Sequence, residues 1–186
     1  MNLANRITCL RILLVPVFVS FLLYSYNKDS VHFRYVALSV FLLSILTDVI
    51  DGIVARALKE KTELGSFLDP LADKLLLAAA FVFLALMAEL PVWVVVVTIS
   101  RDVILALGWV ALYVFGEEGA SRIRPSISGK MTTFLQMGTI LLFLLDVHHI
   151  YYDYVRYLMY TMIGVTILST LGYILEGGRR LNEEGS

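Results

Sequence analysis

Four aspartates lie in segments that are otherwise apolar enough to cross a lipid bilayer. Asp48 and Asp51 are three residues apart, and Asp69 and Asp73 are four apart, within the run DVIDGIVARALKEKTELGSFLDPLAD. A charged side chain at membrane depth costs at least about 2.5 kcal/mol on insertion scales, so such residues need a partner or a function. The four carboxylates therefore predict a bound cation or a catalytic role.

The spacing of the aspartates places each pair on one helical face, because residues three or four apart on a helix are neighbours. Only a short charged hairpin, 59–63, separates the two pairs, so their helices are expected to be adjacent and antiparallel. Four converging carboxylates repel one another unless positive charge is near. Mg²⁺ or Mn²⁺ supplies that charge through oxygen ligands and keeps places for water and substrate phosphates. The pattern predicts a metal site for phosphate chemistry at a membrane surface.

Pro70 leaves two interpretations of the second pair. Proline has no backbone N–H to donate, so Asp69 could cap a helix that begins at Pro70. The alternative is a helix that already runs from about Gly65 and bends at Pro70. Asp69 and Asp73 lie within about one turn of each other in both cases.

The elements that carry these residues are long apolar runs. Hydrophobic residues make up 59% of the 186 residues, against about 45–50% in soluble domains. Runs close to the length of about 20 residues that a membrane helix needs occur at 7–26, 35–54, 71–87, 91–115, 131–147 and 155–175. No linker or low-complexity stretch divides them. We expect an all-α polytopic membrane protein, with six transmembrane helices in a single domain spanning residues 1–186.

The basic residues predict the orientation of these spans. Six spans would put both termini on one side of the membrane, with 11 of the 15 lysines and arginines. These are Arg6, Arg11, Arg56, Lys59, Lys61, Lys74, Arg122, Arg124, Lys130, Arg179 and Arg180. The positive-inside rule then places both termini and the aspartates at the cytoplasmic face. The first span ends in YSYN rather than an A-x-A-like cleavage site, and no Arg/Ser-rich transit extension precedes it. A retained span in a bacterial cell (inner) membrane is expected.

Several classes of function are disfavoured by composition. The formal net charge is -1, and no basic stripe with interleaved aromatics is present, so nucleic acid is not an expected partner. A single cysteine, Cys9, excludes an intrachain disulfide and a cysteine metal site. A small cation or proton transporter remains the alternative class. A relay should continue toward the other membrane face, however, where only Asp102 and Asp146 follow.

The residues from 48 to 73 read D-x2-D-G-x2-A-R-x8-G-x3-D-x3-D, and N-x2-T-x2-R precedes them at Asn5, Thr8 and Arg11. This pattern resembles the CDP-alcohol phosphatidyltransferase family, with every fixed position of the motif filled. The resemblance implies a homodimeric membrane enzyme. Its reaction would displace CMP from CDP-diacylglycerol by the hydroxyl of a small alcohol.

The resemblance also implies roles for individual residues. Two divalent ions would be held by Asp48, Asp51, Asp69 and Asp73. Asp73 would in addition be the general base toward the acceptor hydroxyl. The CDP part of the lipid would be contacted by Gly52, Ala55, Arg56 and Gly65, with Asn5 and Thr8 near it.

The acceptor alcohol depends on less regular residues. Arg122, Arg124 and Lys130 are cations suited to a phosphorylated acceptor, although positive-inside bias alone would also explain the two arginines. Arg101 is expected either to reach the acceptor pocket or to pair with a carboxylate. Asp102 is adjacent to it and does not share its helical face.

Two stretches indicate different acceptors. GKMTTFLQ is similar to the G-K-x-T-T-x-x-Q stretch of phosphatidylglycerophosphate synthases. ISRDV followed by RIRPSISGK is also similar to cardiolipin synthases of the CDP-alcohol type, whose acceptor is phosphatidylglycerol. We expect glycerol 3-phosphate as the acceptor, with phosphatidylglycerol as the alternative.

Overall fold

The structure is a computed structural model that describes residues 3–58, 63–114, 127–145 and 152–184, with side chains described at 8–50, 71–108, 129–145 and 153–175. Regular structure within these ranges is entirely helical. The six helices are α1 Leu3–Lys28, α2 Val31–Leu58, α3 Glu63–Leu86, α4 Val92–Val114, α5 Ile127–Leu144 and α6 Tyr152–Glu184. The all-α prediction is confirmed.

Three of these helices are long and apolar enough, over their described residues, to cross a membrane. Their candidate spans are Thr8–Lys28, Val31–Ile50 and Asp153–Leu175. Large apolar side chains such as Leu13 and Leu168 are exposed along them, as expected for surfaces that face lipid. These helices support a membrane protein, whereas six spans with cytoplasmic termini stay a prediction.

Only Asp29 and Ser30 lie between α1 and α2, whereas residues 27–34 separate the apolar runs 7–26 and 35–54. Asp29 has a left-handed φ of 46°. The N–H of Ser30 donates to the Ser25 carbonyl at 3.0 Å, which satisfies a carbonyl at the end of α1. The apolar runs indicate only the stretches expected inside the membrane. Helices α1 and α2 extend beyond these stretches through polar residues.

Helix α3 runs through Pro70, since it begins at Glu63. The interpretation in which Asp69 caps a helix starting at Pro70 is therefore wrong, and the interpretation of a helix already under way is right. A proline removes one backbone hydrogen bond, and the bonds before and after it continue the helix.

The described chain groups into two sets of packed residues, and each is described by itself. The first is Met1–Leu90 with Ile140–His149. Within it, α1 packs against both α2 and α3. Phe18 of α1 and Phe41 of α2 are both buried, with ring centroids 5.7 Å apart. Helix α1 is thus the one that brings α2 and α3 into a common arrangement.

Arg34, near the start of α2, forms a second, partly buried link within this first set. Its Nη2 donates to Glu89 Oε2 at 2.5 Å and to the Phe143 carbonyl at 2.6 Å. Glu89 lies in the turn after α3, which includes Ala88 at a left-handed φ of 59°. The ion pair joins α2, this turn and the C-terminal part of α5.

The second set is Pro91–Thr139 with Ile150–Ser186. Here α4 packs against α6. Trp93 stacks on Tyr160 with ring centroids 6.2 Å apart. A Cβ at Gly108 would lie 3.2 Å from Cε1 of Tyr173, so glycine permits this close approach. The single domain expected for residues 1–186 stays a prediction.

Candidate active site

Helices α2 and α3 carry the four aspartates. Asp48 and Asp51 lie about one turn apart on α2, and Asp69 and Asp73 lie about one turn apart on α3. The side chains of Asp51 and Asp69 lie outside the described residues. Asp48 and Asp73 therefore give the geometry of the site.

Arg11 of α1 joins these two carboxylates. Its Nη1 lies 2.8 Å from Asp48 Oδ1 and 3.0 Å from Asp73 Oδ1. The two carboxylate oxygens can be no farther apart than the sum of these distances. The structure thus brings Asp48 and Asp73 together from different helices, around a single guanidinium nitrogen.

Burial differs sharply between the cation and the two anions. The Arg11 side chain is 1% exposed, whereas those of Asp48 and Asp73 are 37% and 31% exposed. The guanidinium therefore lies on the inner side of the carboxylates. A cation or a phosphate-bearing substrate that arrives from the exposed side meets the carboxylates first.

The donor chemistry of this pair fits a hard divalent cation. Carboxylate oxygens are ligands that Mg²⁺ and Mn²⁺ prefer, and Mg²⁺ commonly uses only one or two protein carboxylates. At Arg11, one guanidinium faces two carboxylates, a charge balance that is compatible with a further cation. No group of three or more His, Cys, Asp or Glu side chains occurs among the side chains described, a set that omits Asp51 and Asp69.

The residues expected near the CDP part of the donor are placed unequally. Thr8 is fully buried on α1, three residues before Arg11. The others belong to described helices, but their side chains lie outside the described residues. These are Asn5 on α1, Gly52, Ala55 and Arg56 on α2, and Gly65 on α3.

Arg101 of α4, in the second set of residues, is buried and pairs with a carboxylate. Its Nη1 donates to Asp102 Oδ1 at 2.8 Å, and its Nη2 lies 3.4 Å from Ser169 Oγ on α6. Of the two alternatives for Arg101, the structure shows the ion pair. Asp102 does not share a helical face with Arg101, yet the two pair, because helical spacing fixes the Cβ positions and not the end of a long side chain.

Gly129 of α5 lies against the same guanidinium. A Cβ built at Gly129 would be 3.3 Å from Arg101 Nη2. Lys130 follows directly and is exposed. The structure thus brings Arg101 to the start of the GKMTTFLQ stretch. Arg122 and Arg124 lie outside the described residues, and acceptor binding by these four cations stays a prediction.

Arg11 is a site residue whose role its sequence position did not reveal. It occurs among the predicted cytoplasmic cations and as the last position of N-x2-T-x2-R. Its position inside the apolar run 7–26 could have indicated a role at the site, because a cation at membrane depth needs an anionic partner.

Comparison with known proteins identifies the family. A family model described as CDP-alcohol phosphatidyltransferase matches residues 1–170, a range that contains every residue of the site described above. The chain belongs to the CDP-alcohol phosphatidyltransferase family. The predicted family and the transferase class of activity are confirmed. These transferases are membrane-bound and generally use divalent metal ions.

Individual relatives of the transferase carry two kinds of name. A probable phosphatidylglycerophosphate synthase from Mycobacterium tuberculosis is 34% identical over 173 residues, which cover 93% of this chain and 80% of that protein. A CDP-diacylglycerol--glycerol-3-phosphate 3-phosphatidyltransferase from Bacillus subtilis is 35% identical, covering 73% of this chain and 72% of that protein. A CMP-forming cardiolipin synthase from Rattus norvegicus is 37% identical, but covers 55% of this chain and 38% of that protein.

Proposed function

We propose that this transferase moves the phosphatidyl group of CDP-diacylglycerol to the hydroxyl of glycerol 3-phosphate. The products are CMP and phosphatidylglycerophosphate. The observation that carries the proposal is the pair of partly exposed carboxylates, Asp48 and Asp73, held together by buried Arg11. The names of the relatives that cover most of the chain support glycerol 3-phosphate as the acceptor.

The carboxylates would hold two Mg²⁺ or Mn²⁺ ions, with Asp48, Asp51, Asp69 and Asp73 as the ligands. Such ions, when bound, neutralise charge on the pyrophosphate of the donor and on the departing CMP. Family membership supports divalent metal, and the number and identity of the ions are part of the proposal.

Asp73 would also act as the general base. The acceptor oxygen forms a bond to the phosphorus of the phosphatidyl group as the bond from that phosphorus to CMP breaks. Because Oδ1 of Asp73 contacts Arg11 Nη1 at 3.0 Å, we assign the hydroxyl proton to Oδ2. That atom must come within about 2.6 to 3.2 Å of the acceptor oxygen.

The donor would be bound by residues around this pair. Arg56 supplies positive charge for the diphosphate, and Gly52, Ala55 and Gly65 leave room beside the helices. Asn5 and Thr8 complete the set on α1. Thr8 is buried about one helical turn from Arg11, which supports a position of Thr8 close to the carboxylates.

The acceptor phosphate would be bound by Arg101, Arg122, Arg124 and Lys130. The charge of Arg101 is largely balanced by Asp102 at 2.8 Å. Lys130, which is exposed, would then be a main source of attraction for the phosphate, together with Arg122 and Arg124. Because Gly129 has no side chain, the Arg101 guanidinium can lie against the residue that directly precedes Lys130.

The membrane arrangement in this proposal has six spans, both termini in the cytoplasm, and the site facing the cytoplasm of a cell (inner) membrane. The three long apolar helices and the distribution of basic residues support it. The proposal also includes a single domain and a homodimer. A cytoplasmic site gives access to soluble glycerol 3-phosphate and releases CMP where it is soluble.

Cardiolipin synthesis from phosphatidylglycerol is the second candidate. The partial similarity to the rat cardiolipin synthase favours it. That similarity covers less of the chain than the similarity to the phosphatidylglycerophosphate synthases, so we rank it second. The transporter alternative loses its support because the chain belongs to a transferase family.

The test is release of CMP by purified protein in detergent. CDP-diacylglycerol and Mg²⁺ or Mn²⁺ are supplied with one acceptor at a time. We expect CMP with glycerol 3-phosphate and none with phosphatidylglycerol or without an acceptor. Release of CMP with phosphatidylglycerol but not with glycerol 3-phosphate would instead identify the protein as a cardiolipin synthase.

A further inference from the structure

Arg11 is an arginine inside the apolar helix α1, and its side chain is almost completely withdrawn from solvent. A buried guanidinium is stable only when anions and hydrogen-bond acceptors surround it. Arg11 Nη1 meets this need with Asp48 of α2 at 2.8 Å and Asp73 of α3 at 3.0 Å. Because α1 packs against both of these helices, one side chain connects all three at the site.

The difference in burial decides what happens when a cation arrives. Arg11 is 1% exposed, whereas Asp48 and Asp73 are each about one-third exposed. A metal ion can approach the carboxylates from the exposed side without removing the arginine. The arginine itself is enclosed where α1 packs against α2 and α3. The guanidinium would therefore remain beneath the carboxylates when a metal ion binds.

We propose that Arg11 is a positioning residue for metal binding: it holds Oδ1 of Asp48 and of Asp73 from the buried side and thereby orients both carboxylates toward the ion. The inference rests on the proposed metal site. Ligand carboxylates are commonly oriented by hydrogen bonds from residues behind them. A simple competing counter-ion would behave differently, because its removal would strengthen metal binding rather than weaken it.

The test measures Mn²⁺ binding by electron paramagnetic resonance. Purified protein is first freed of metal with EDTA and is then titrated with Mn²⁺. For Arg11→Met we expect the Mn²⁺ dissociation constant to rise about 10- to 100-fold, the range seen when groups behind metal ligands are removed. Arg11→Lys keeps the charge and should recover part of this loss. The melting temperature of the metal-free protein is measured in parallel, and it should fall for both variants.

Arg34→Met is the matched control, because it also removes an arginine, partly buried at 14% exposure, that is paired with a carboxylate in the same set of residues. Arg34 lies 14 residues before Asp48 on α2, which is about 21 Å along the helix. We expect this control to lower the melting temperature and to leave Mn²⁺ affinity unchanged. A purely structural role for Arg11 would give the same result as the control.

The outcomes separate this inference from the proposed function. If wild-type protein binds no Mn²⁺, the proposed metal site fails. If wild type binds Mn²⁺ and folded Arg11→Met binds it equally well or more tightly, only the positioning role is overturned. It is also overturned if both Arg11 variants fail to fold with saturating Mn²⁺ while Arg34→Met folds, since Arg11 would then be structural alone.

Discussion

Asp48 and Asp73 form ion pairs with the same guanidinium nitrogen, although they belong to different helices. This nitrogen is Nη1 of Arg11, at 2.8 Å from Asp48 Oδ1 and 3.0 Å from Asp73 Oδ1. Through Arg11, α2 and α3 are connected at the aspartates of the family motif. This arrangement also leaves the carboxylates accessible from the side opposite the arginine.

Asp73→Asn tests the general base. The amide cannot accept the acceptor proton as a carboxylate does, so we expect kcat to fall by about 10²- to 10⁴-fold, the usual contribution of a general base. Binding of CDP-diacylglycerol should remain measurable by calorimetry. Asp153→Asn, an exposed aspartate on α6, makes the same chemical change and should keep the wild-type rate. Wild-type turnover in Asp73→Asn would remove Asp73 from this role.

Asp48→Asn tests metal dependence. It replaces one charged oxygen ligand by a neutral amide, so the metal concentration for half-maximal activity should rise about 10-fold or more, at least as much as when only a residue behind a ligand is changed. Activity is measured as CMP release across a Mn²⁺ titration, and excess Mn²⁺ should restore part of it. An unchanged titration curve would show that Asp48 does not hold the ion.

Lys130→Met tests the acceptor site. Loss of a hydrogen bond to a charged phosphate costs about 1.5 kcal/mol, so KM for glycerol 3-phosphate should rise roughly tenfold. The KM for CDP-diacylglycerol should stay the same. Lys28→Met removes another exposed lysine, at the end of α1, and should change neither constant. Equal effects on both KM values in Lys130→Met would argue against a role limited to the acceptor.

Gly129→Ala tests the contact with Arg101. The new Cβ would lie 3.3 Å from Arg101 Nη2, whereas a Cβ at Gly138 on the same helix would meet nothing within 4 Å. Alanine stabilises a helix by about 0.8 to 1.0 kcal/mol over glycine, so Gly138→Ala should raise the melting temperature by about 2 to 4 °C.

Gly129→Ala should lose that gain, because the arginine has to shift away from Ser169 and Asp102. Thermal unfolding in the same detergent compares the two variants. An equal rise in both melting temperatures would mean that the guanidinium moves without cost and that Gly129 does not constrain it.

The sequence was sufficient for the family and the helical class, and of the two aspartate pairs the structure brings Asp48 and Asp73 together. Spacing within one helix is visible in a sequence, because residues three or four apart always share a face. The short interval between Leu58, where α2 ends, and Glu63, where α3 begins, led us to expect the two helices close together. Both features are local, so they could be read without knowing the packing.

The contact of Arg11 with Asp73 could not be read in the same way, since 62 residues separate them. Helical periodicity gives the face on which Arg11 lies, but not the helix that the face meets. The Arg101–Asp102 pair was not predictable for a different reason. Adjacent residues point in different directions around a helix, but the long arginine side chain extends far enough to contact Asp102. The proposed acceptor site includes Arg122 and Arg124, which lie outside the described residues, in a part of the sequence with no apolar period to read.

The most direct test of the central claim is the identity of the lipid product when both acceptors compete. Purified protein receives CDP-diacylglycerol, Mn²⁺, and equal concentrations of glycerol 3-phosphate and phosphatidylglycerol, and the lipids are identified by mass spectrometry. We predict phosphatidylglycerophosphate in an amount equal to the CMP released, and neither product after EDTA treatment. Cardiolipin as the main product, or no CMP from folded protein that binds Mn²⁺, would contradict the claim.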